Sequence, residues 1–422
     1  MTAPAISRAL VAEGAPRGGL AALCITQTTG GGVLYYALPA AVHPISMDTG
    51  WDPALVTGAF SAGLFVSAAV GILVGRALDR TGPRTLIVAG SLTGVLALIL
   101  VGLAPNLPVF FAAWLVAGTA QAAVLYQPAF TVISRWYGPD RVRPLTILTL
   151  TAGFASTIFA PLTAALSNSI GWRAAFLVLA GLLGAITVPL HARYLNRSWT
   201  PALHRDHTAT DRTRLRLIRR SPAFIGLQAL MVLLCLGLYA VTLNLIPVLM
   251  EKGADYTTAA LGFGLVGAGE VGGSLLFAAI PATARLSVIT GTATSAILVL
   301  ALLPGPAPLL IAAGMLAGAA RGCHTLLQAT IVADRWGTTS LGTLQGSFAE
   351  PLTAAAALAP AAGSAIATWL GSHTSMAYAM AAVTGTAALI AATHLSRGPK
   401  SQMKDDLTDQ SRSESGGSAH CT

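Results

Sequence analysis

Positions 53–75 carry no charged residue, and neither do positions 85–134; between the two stretches stands one short polar patch, 75–84. A bilayer core is crossed by about 20 consecutive apolar residues in a helix. Inside that core every backbone N–H and C=O must be bonded internally, so an apolar run of this length is held as an α-helix. Runs of this kind recur along the whole chain. Charged residues make up 10% of it and hydrophobic residues 54%, against about 25% charged in an ordinary soluble domain. The chain is therefore expected to be an all-α protein that crosses a membrane many times.

Cutting the apolar runs at Pro, Gly and Asn breaks gives twelve helices, at 18–46, 53–78, 85–104, 108–134, 144–167, 174–193, 222–250, 256–280, 286–303, 308–333, 343–370 and 374–395. With the N-terminus in the cytoplasm and the helices alternating, 22 of the 25 Lys and Arg residues fall on the cytoplasmic side. Arg173 and Lys252 fall outside, and Arg321 lies within a helix. The positive-inside rule is thus met in this orientation, with both termini cytoplasmic. The net charge of +9 is accounted for as an orientation signal beside anionic lipid, and nucleic acid is not expected as a partner. The organisation is a cytoplasmic segment 1–17, a six-helix bundle 18–193, a basic cytoplasmic loop 194–221, a second six-helix bundle 222–396, and a tail 397–422 whose Ser, Asp, Lys and Gly content predicts disorder.

Other classes find little support. Residues 1–17 hold Arg8, Glu13 and Arg17 and lack an apolar core, so the first helix is expected to act as an uncleaved insertion signal. Cys24, Cys235, Cys323 and Cys421 show neither metal nor CxxC spacing, so no metal, cofactor or disulfide framework is expected. The HExxH and GxSxG patterns of hydrolases and the phosphate-binding GxxxxGK[ST] loop of pumps do not occur, so neither an enzyme nor a primary pump is expected. A membrane sensor usually brings a sizeable soluble domain, and the longest internal loop here, 194–221, is short. Arg outnumbers Lys 22 to 3, which suggests a GC-rich bacterial genome and hence a bacterial plasma membrane. A monomer is expected.

An internal repeat relates the halves. Shifting 111–136 by 200 positions aligns Gly118 with Gly318, Arg135-Trp136 with Arg335-Trp336, and six other identities, nine in 26, against roughly four expected from this Ala-rich composition. Two parallel halves related about the membrane normal would produce this offset. The polar patch adds a signature. Gly75, Asp79, Arg80, Gly82 and Arg84 resemble the loop between helices two and three of the major facilitator superfamily, G-x-L-A-D-R-x-G-R-K/R, with Ala77 and Pro83 departing from it. The resemblance covers nearly the whole chain. It implies two pseudo-symmetric six-helix bundles, alternating access to a small-molecule substrate, and a cytoplasmic conformational gate at Gly75, Asp79, Arg80, Gly82 and Arg84. Met47-Asp48-Thr49-Gly50-Trp51 and Arg135-Trp136-Tyr137-Gly138 further resemble bacterial monocarboxylate-porter-like members. Helix eight differs from eukaryotic porters of that group: Glu270 is the charge it carries, where they have an Arg. Helix five lacks the Gly-Pro-x-x-Gly-Gly motif of drug–proton antiporters.

Three charges lie well inside predicted helices, away from their ends: Glu270, Arg321 and Glu350. A charge at the bilayer centre costs about 2.5–3.5 kcal/mol on insertion scales, so such groups face a bundle interior or a wet cavity. Two readings stand: a structural ion pair, or a functional cluster in which Arg321 holds an anionic substrate group while Glu270 or Glu350 carries a proton. Arg321, His324, Thr325 and Gln328 fall on one helical face. Gln121 is the repeat partner of Arg321. Arg321, His324, Gln328 and Gln121, with Gln27, Tyr239 and Asn244, form the expected substrate-binding set; Tyr35, Tyr126, Gln127 and Gln345 are further cavity candidates. The expected function is secondary active transport of a small carboxylate-bearing solute coupled to protons; the alternative is proton-driven export of a drug or secondary metabolite.

Overall fold

The computed structural model describes residues 16–196, 209–336 and 341–395; the side chains of Asp79, Pro139, 209–214, 341–343 and 393–395 lie outside that description. Twelve helices cross the molecule: α1 (19–49), α2 (Pro53–Thr81), α3 (Pro83–Gly102), α4 (Leu107–Tyr137), α5 (142–170), α6 (172–194), α7 (222–251), α8 (Tyr256–Leu276), α9 (Arg285–Leu302), α10 (Ala307–Trp336), α11 (Leu341–Leu370) and α12 (His373–Leu395). A shorter basic helix, Ala209–Arg220, precedes α7. The predicted tail 397–422 and most of segment 1–17 lie outside the described residues.

Local chemistry sets the helix ends. Asp52, Asn106, Ser221 and Asp255 each cap a helix by accepting a backbone N–H two or three residues on, at 2.7–3.2 Å. Pro53, Pro83 and Pro222 fill first-turn positions, where a missing N–H costs nothing. The turn from α2 to α3 is one residue, Gly82, at φ +80°, a backbone region open chiefly to glycine. Gly171 turns α5 into α6 in the same way. Four helices are interrupted within the membrane. α1 has a π turn at Gly32–Tyr36, while α4, α5 and α7 break at Leu125, Phe154 and Asn244.

An even number of passes puts the start of α1 and the end of α12 on one face. That face also carries Arg76, Arg80, Arg84, Arg141, Arg143, Arg216, Arg219 and Arg220, and is called the basic face below. The repeat has a structural cause. A Cβ on Gly118 of α4 would overlap the backbone carbonyl of Gly63 on α2, and one on Gly318 of α10 would overlap that of Val266 on α8. Each half therefore joins its second and fourth helices by backbone-to-backbone contact at the same position, which small residues alone permit.

Candidate functional site

The close packing of α8 on α10 builds the site. Gly269 and Gly273 sit against the carbonyls of Met315 and Ala319, and Gly322 sits against that of Glu270. This clamp puts the Glu270 side chain beside Arg321, with Oε2 3.7 Å from Nε. Arg321 is 3% exposed. Its Nη2 donates to the Tyr36 hydroxyl at 3.1 Å, a bond that crosses from one half to the other. Its guanidinium carbon lies 4.2 Å from the Tyr239 ring centroid, 5.7 Å from Tyr36 and 6.0 Å from Tyr35. The ring quadrupoles offset part of the cost of desolvating the cation. Hydrogen bonding does not complete the offset: among the described residues Nε and Nη1 have no hydrogen-bond partner, nor has Glu270 Oε2. The free donors of such a guanidinium match the geometry of a planar anion.

The tyrosines come from the π turn. The extra residue in Gly32–Tyr36 re-phases α1 and frees a carbonyl; the Gln121 amide nitrogen donates to that of Leu34 at 2.7 Å. Tyr35 lines a cavity of about 490 Å³, together with α2 residues from Leu64 to Leu78, α4 residues from Gln121 to Thr131, and Thr353, Ala356 and Ala357 of α11. These α2 positions belong to its basic-face half, so the cavity lies on that side of the membrane. A second depression of about 580 Å³ lies at the opposite face, lined by His43, Asp48, Trp172 and Arg173 among others. Its charges are already matched, Arg173 donating to Asp48 at 2.6 Å and Trp172 at 2.8 Å to the same oxygen. The central cluster, not this depression, holds the unmatched chemistry.

Of the three membrane charges expected to gather, Glu270 and Arg321 are together. Glu350 is exposed near the basic-face end of α11 and makes no ion pair among the described residues. His324 is buried one turn from Arg321, its ring 6.5 Å from Tyr239, and neither ring nitrogen has a hydrogen-bond partner of normal geometry. Gln121 lines the cavity with its Oε1 unpartnered, and Gln27 is buried on α1 with Oε1 likewise unpartnered. Gln328 is half-buried, and its carbonyl accepts from Gln345 at 2.8 Å. Asn244 stands apart from the cavity. It ties the break in α7 to α11, donating to Pro360 at 3.1 Å and accepting from Ser364 at 2.7 Å. In the polar patch, Gly75 lines the cavity, Gly82 makes the turn, Arg80 is exposed, and Arg84 donates to Asn196 at 3.0 Å. The side chain of Asp79 lies outside the described residues. Tyr36 is the residue the sequence did not single out, since nothing in α1 announces a partner 285 residues away.

Beyond Tyr36–Arg321, the hydrogen bonds between halves among the described residues run from mid-membrane toward the face opposite the basic one. Ser156 and Thr157 donate to Gly264, Ala361 to Ser61, Ser364 to Thr57, and Tyr256 to Ala40 at 2.6 Å. The bonds between the halves thus lie toward one face and the cavity lined by both halves toward the other.

Two six-helix bundles around a central under-coordinated charge define a protein of the two-bundle transporter fold. The family model of the Major Facilitator Superfamily matches residues 23–287, and the chain belongs to that family. Solved structures of the same fold include a bacterial homologue of the human lysosomal transporter Spinster in an inward-facing, occupied conformation. It is 16% identical, with a TM-score of 0.67, over 90% of this chain and 96% of that one. A POT family transporter in complex with 5-aminolevulinic acid is 12% identical, with a TM-score of 0.74, over 91% and 96%. Among curated relatives, the fujikurins efflux protein of Gibberella fujikuroi is 30% identical over 32% of this chain and 28% of its own length. Monocarboxylate transporter 11 of Mus musculus is 30% identical over 34% and 30%. An MFS-type transporter of Gibberella moniliformis is 26% identical over 34% and 35%. The chain matches about a third of the length of these relatives.

Proposed function

We propose that the chain is a secondary active transporter that moves a small organic anion, best a carboxylate, by alternating access coupled to protons. The observation that carries this reading is Arg321: a cation 3% exposed, with two guanidinium nitrogens unpartnered and one acid, Glu270, at 3.7 Å. A carboxylate entering from the cavity takes Nη1 together with the second proton of Nη2 in a bidentate fork. Its arrival competes with Glu270 for the same cation, and Glu270 is the acid of this site that carries the proton. Substrate and proton are coupled through that exchange. The positive-inside rule assigns the basic face to the cytoplasm, which makes the cavity side inward-open.

The test uses the full chain in proteoliposomes, with a panel of radiolabelled carboxylates and an imposed pH gradient. Gradient-driven accumulation is expected for at least one acid. Arg321→Gln abolishes it, while Glu270→Gln abolishes gradient-driven uptake but keeps exchange of labelled for unlabelled substrate. If Arg321→Gln and Glu270→Gln both transport like the parent, the coupling scheme fails. A second reading, export of an apolar metabolite or drug, draws on the cavity lining, which holds no charged side chain, and on the relative named as an efflux protein. Accumulation driven only by a gradient of opposite sign would select it.

A further inference from the structure

The cavity and the arginine are two compartments of unlike chemistry that share one wall. On the arginine side lie a cation, an acid and the rings of Tyr36 and Tyr239. On the cavity side, about 490 Å³ is bounded by Leu64, Ala68, Ile72, Leu125 and Ala357 among others, with no charged residue in the lining. Tyr35 belongs to both, lining the cavity with its ring 6.0 Å from the Arg321 guanidinium carbon. The hydroxyls of Thr131 and Thr353 in that lining are spent on carbonyls of their own helices, at 3.0 Å each. Of the lining's other polar side chains, Ser67, Tyr126 and Gln127 among them, Gln121 is the one with a fully buried atom left without a partner. Gln121 is 1% exposed and its Nε2 donates to Leu34, so its orientation is fixed and Oε1 remains an acceptor without a donor.

A cavity of this size falls within the roughly 300–1,000 Å³ range of small-molecule sites, in which a few placed polar groups orient a ligand held by apolar walls. It exceeds what a two- or three-carbon acid fills. We propose that the pocket between α2, α4 and α11 is a subsite for the apolar body of the substrate, and that the substrate is an amphipathic carboxylate with a hydrogen-bond donor near its carboxylate end. That donor meets Gln121 Oε1, since Gln121 sits against Leu34, next to Tyr35 and hence on the arginine side of the pocket. The inference rests on the reading of Arg321 as the anion anchor, and it adds the size and polarity of what the anchor holds.

Gly71 supplies the test. It lines the pocket, and a Cβ placed on it meets nothing within 4 Å, so Gly71→Leu puts an isobutyl group into the subsite without touching a neighbouring backbone. Binding of butyrate, hexanoate, octanoate, 2-hydroxyoctanoate and octanamide is measured by calorimetry on the full chain in lipid nanodiscs. Affinity is expected to rise about fourfold per added methylene, the factor that burying one CH₂ supplies. Gly71→Leu is expected to weaken octanoate at least tenfold relative to butyrate, and Ser67→Leu, a second lining substitution, to do the same. The hydroxyl of 2-hydroxyoctanoate is expected to strengthen binding several-fold over octanoate. Affinity independent of chain length, or the same length dependence in parent and both variants, overturns the subsite; no gain from the hydroxyl overturns the assignment to Gln121. Octanamide binding as tightly as octanoate would instead remove the anion anchor, and the length dependence would still decide the subsite by itself.

Discussion

Arg321 and Glu270 stabilise each other only as a pair. Removing one member of a buried ion pair typically costs about 3–5 kcal/mol, because the survivor is left uncompensated; Glu270 is 17% exposed, so the lower end applies. Arg321→Gln and Glu270→Gln should therefore each lower the thermal stability of the detergent-purified protein, while the double variant loses clearly less than the sum. Strict additivity in that cycle would mean the two side chains do not interact. Tyr36→Phe isolates a different contact, the hydroxyl that accepts from Arg321 across the halves. A hydrogen bond to a charged group contributes about 1.5–3 kcal/mol. Its loss should shift the protein roughly tenfold or more toward the opposite opening, read as faster alkylation of a cysteine placed at Ser61 from the side opposite the basic face. An unchanged rate would leave Tyr36 a packing residue. The two charges were legible in the sequence because ionisable groups inside apolar runs are rare and expensive. Tyr36 was not, since an aromatic residue in an apolar helix has no distinguishing neighbours in sequence. Glu350 was legible as a charge and as the shallowest of the three, near the cytoplasmic start of predicted helix 343–370, and it is exposed there.

At the scale of elements, the glycines of α8 and α10 divide into two kinds. A Cβ at Gly273 or Gly318 overlaps a carbonyl of the facing helix, whereas one at Gly272 meets nothing. Gly273→Ala and Gly318→Ala should each cost more than about 2 kcal/mol as the helices part, while Gly272→Ala is neutral or slightly stabilising, because Ala favours the helix by about 1 kcal/mol. Comparable unfolding temperatures for all three would contradict the backbone contact. A second joint ties α7 to α12. Glu251, beyond the apolar span 222–243, accepts from the Ser372 hydroxyl at 2.5 Å and from the His373 and Thr374 N–H groups, so a carboxylate caps the N-terminus of α12. Partial burial pushes its pKa up, but these hydrogen bonds outweigh burial and hold it below its ordinary value. The folded state therefore binds the proton less readily than the unfolded one. The joint contributes fully above the ordinary carboxylate range and is lost as the pH falls through the lowered value. Glu251→Gln should narrow the stability difference between pH 7 and pH 4 by no more than about 1 kcal/mol, since the group is a third exposed, and this is read from unfolding at the two pH values. An unchanged pH profile would remove Glu251 as its source. The helices themselves were readable to within about four residues at each end, because charge-free length and Pro, Gly and Asn breaks determine them. The breaks at Leu125, Phe154 and Asn244 and the π turn were not, since they arise where one helix bends to meet another and leave the apolar pattern intact.

For the whole molecule, the repeat carried the architecture: Gly118 and Gly318 fall at one position of two equivalent bundles because each is where second and fourth helices touch. What no repeat could announce is which side of the assembly is closed, since that depends on contacts between the bundles. Those contacts lie from mid-membrane toward one face, and Ser364 donating to Thr57 at 3.2 Å is among the outermost. If the bundles rock about the central site, this seal opens in every cycle, so a covalent bond across it must stop transport while leaving the cavity open to the basic face. Thr57→Cys/Ser364→Cys places two thiols where two hydroxyls now meet, on α2 and α11. The native Cys24, Cys235 and Cys323 are buried and unpaired, and with the fourth cysteine removed by Cys421→Ser mild oxidation acts on the introduced pair. Oxidised protein in proteoliposomes is expected to lose more than nine-tenths of its transport and to recover it on reduction, while alkylation of a cysteine at Ala68, which lines the cavity, proceeds from the basic face in both forms. Transport that survives a complete cross-link would mean that the halves do not separate on this side, and that substrate leaves by another route.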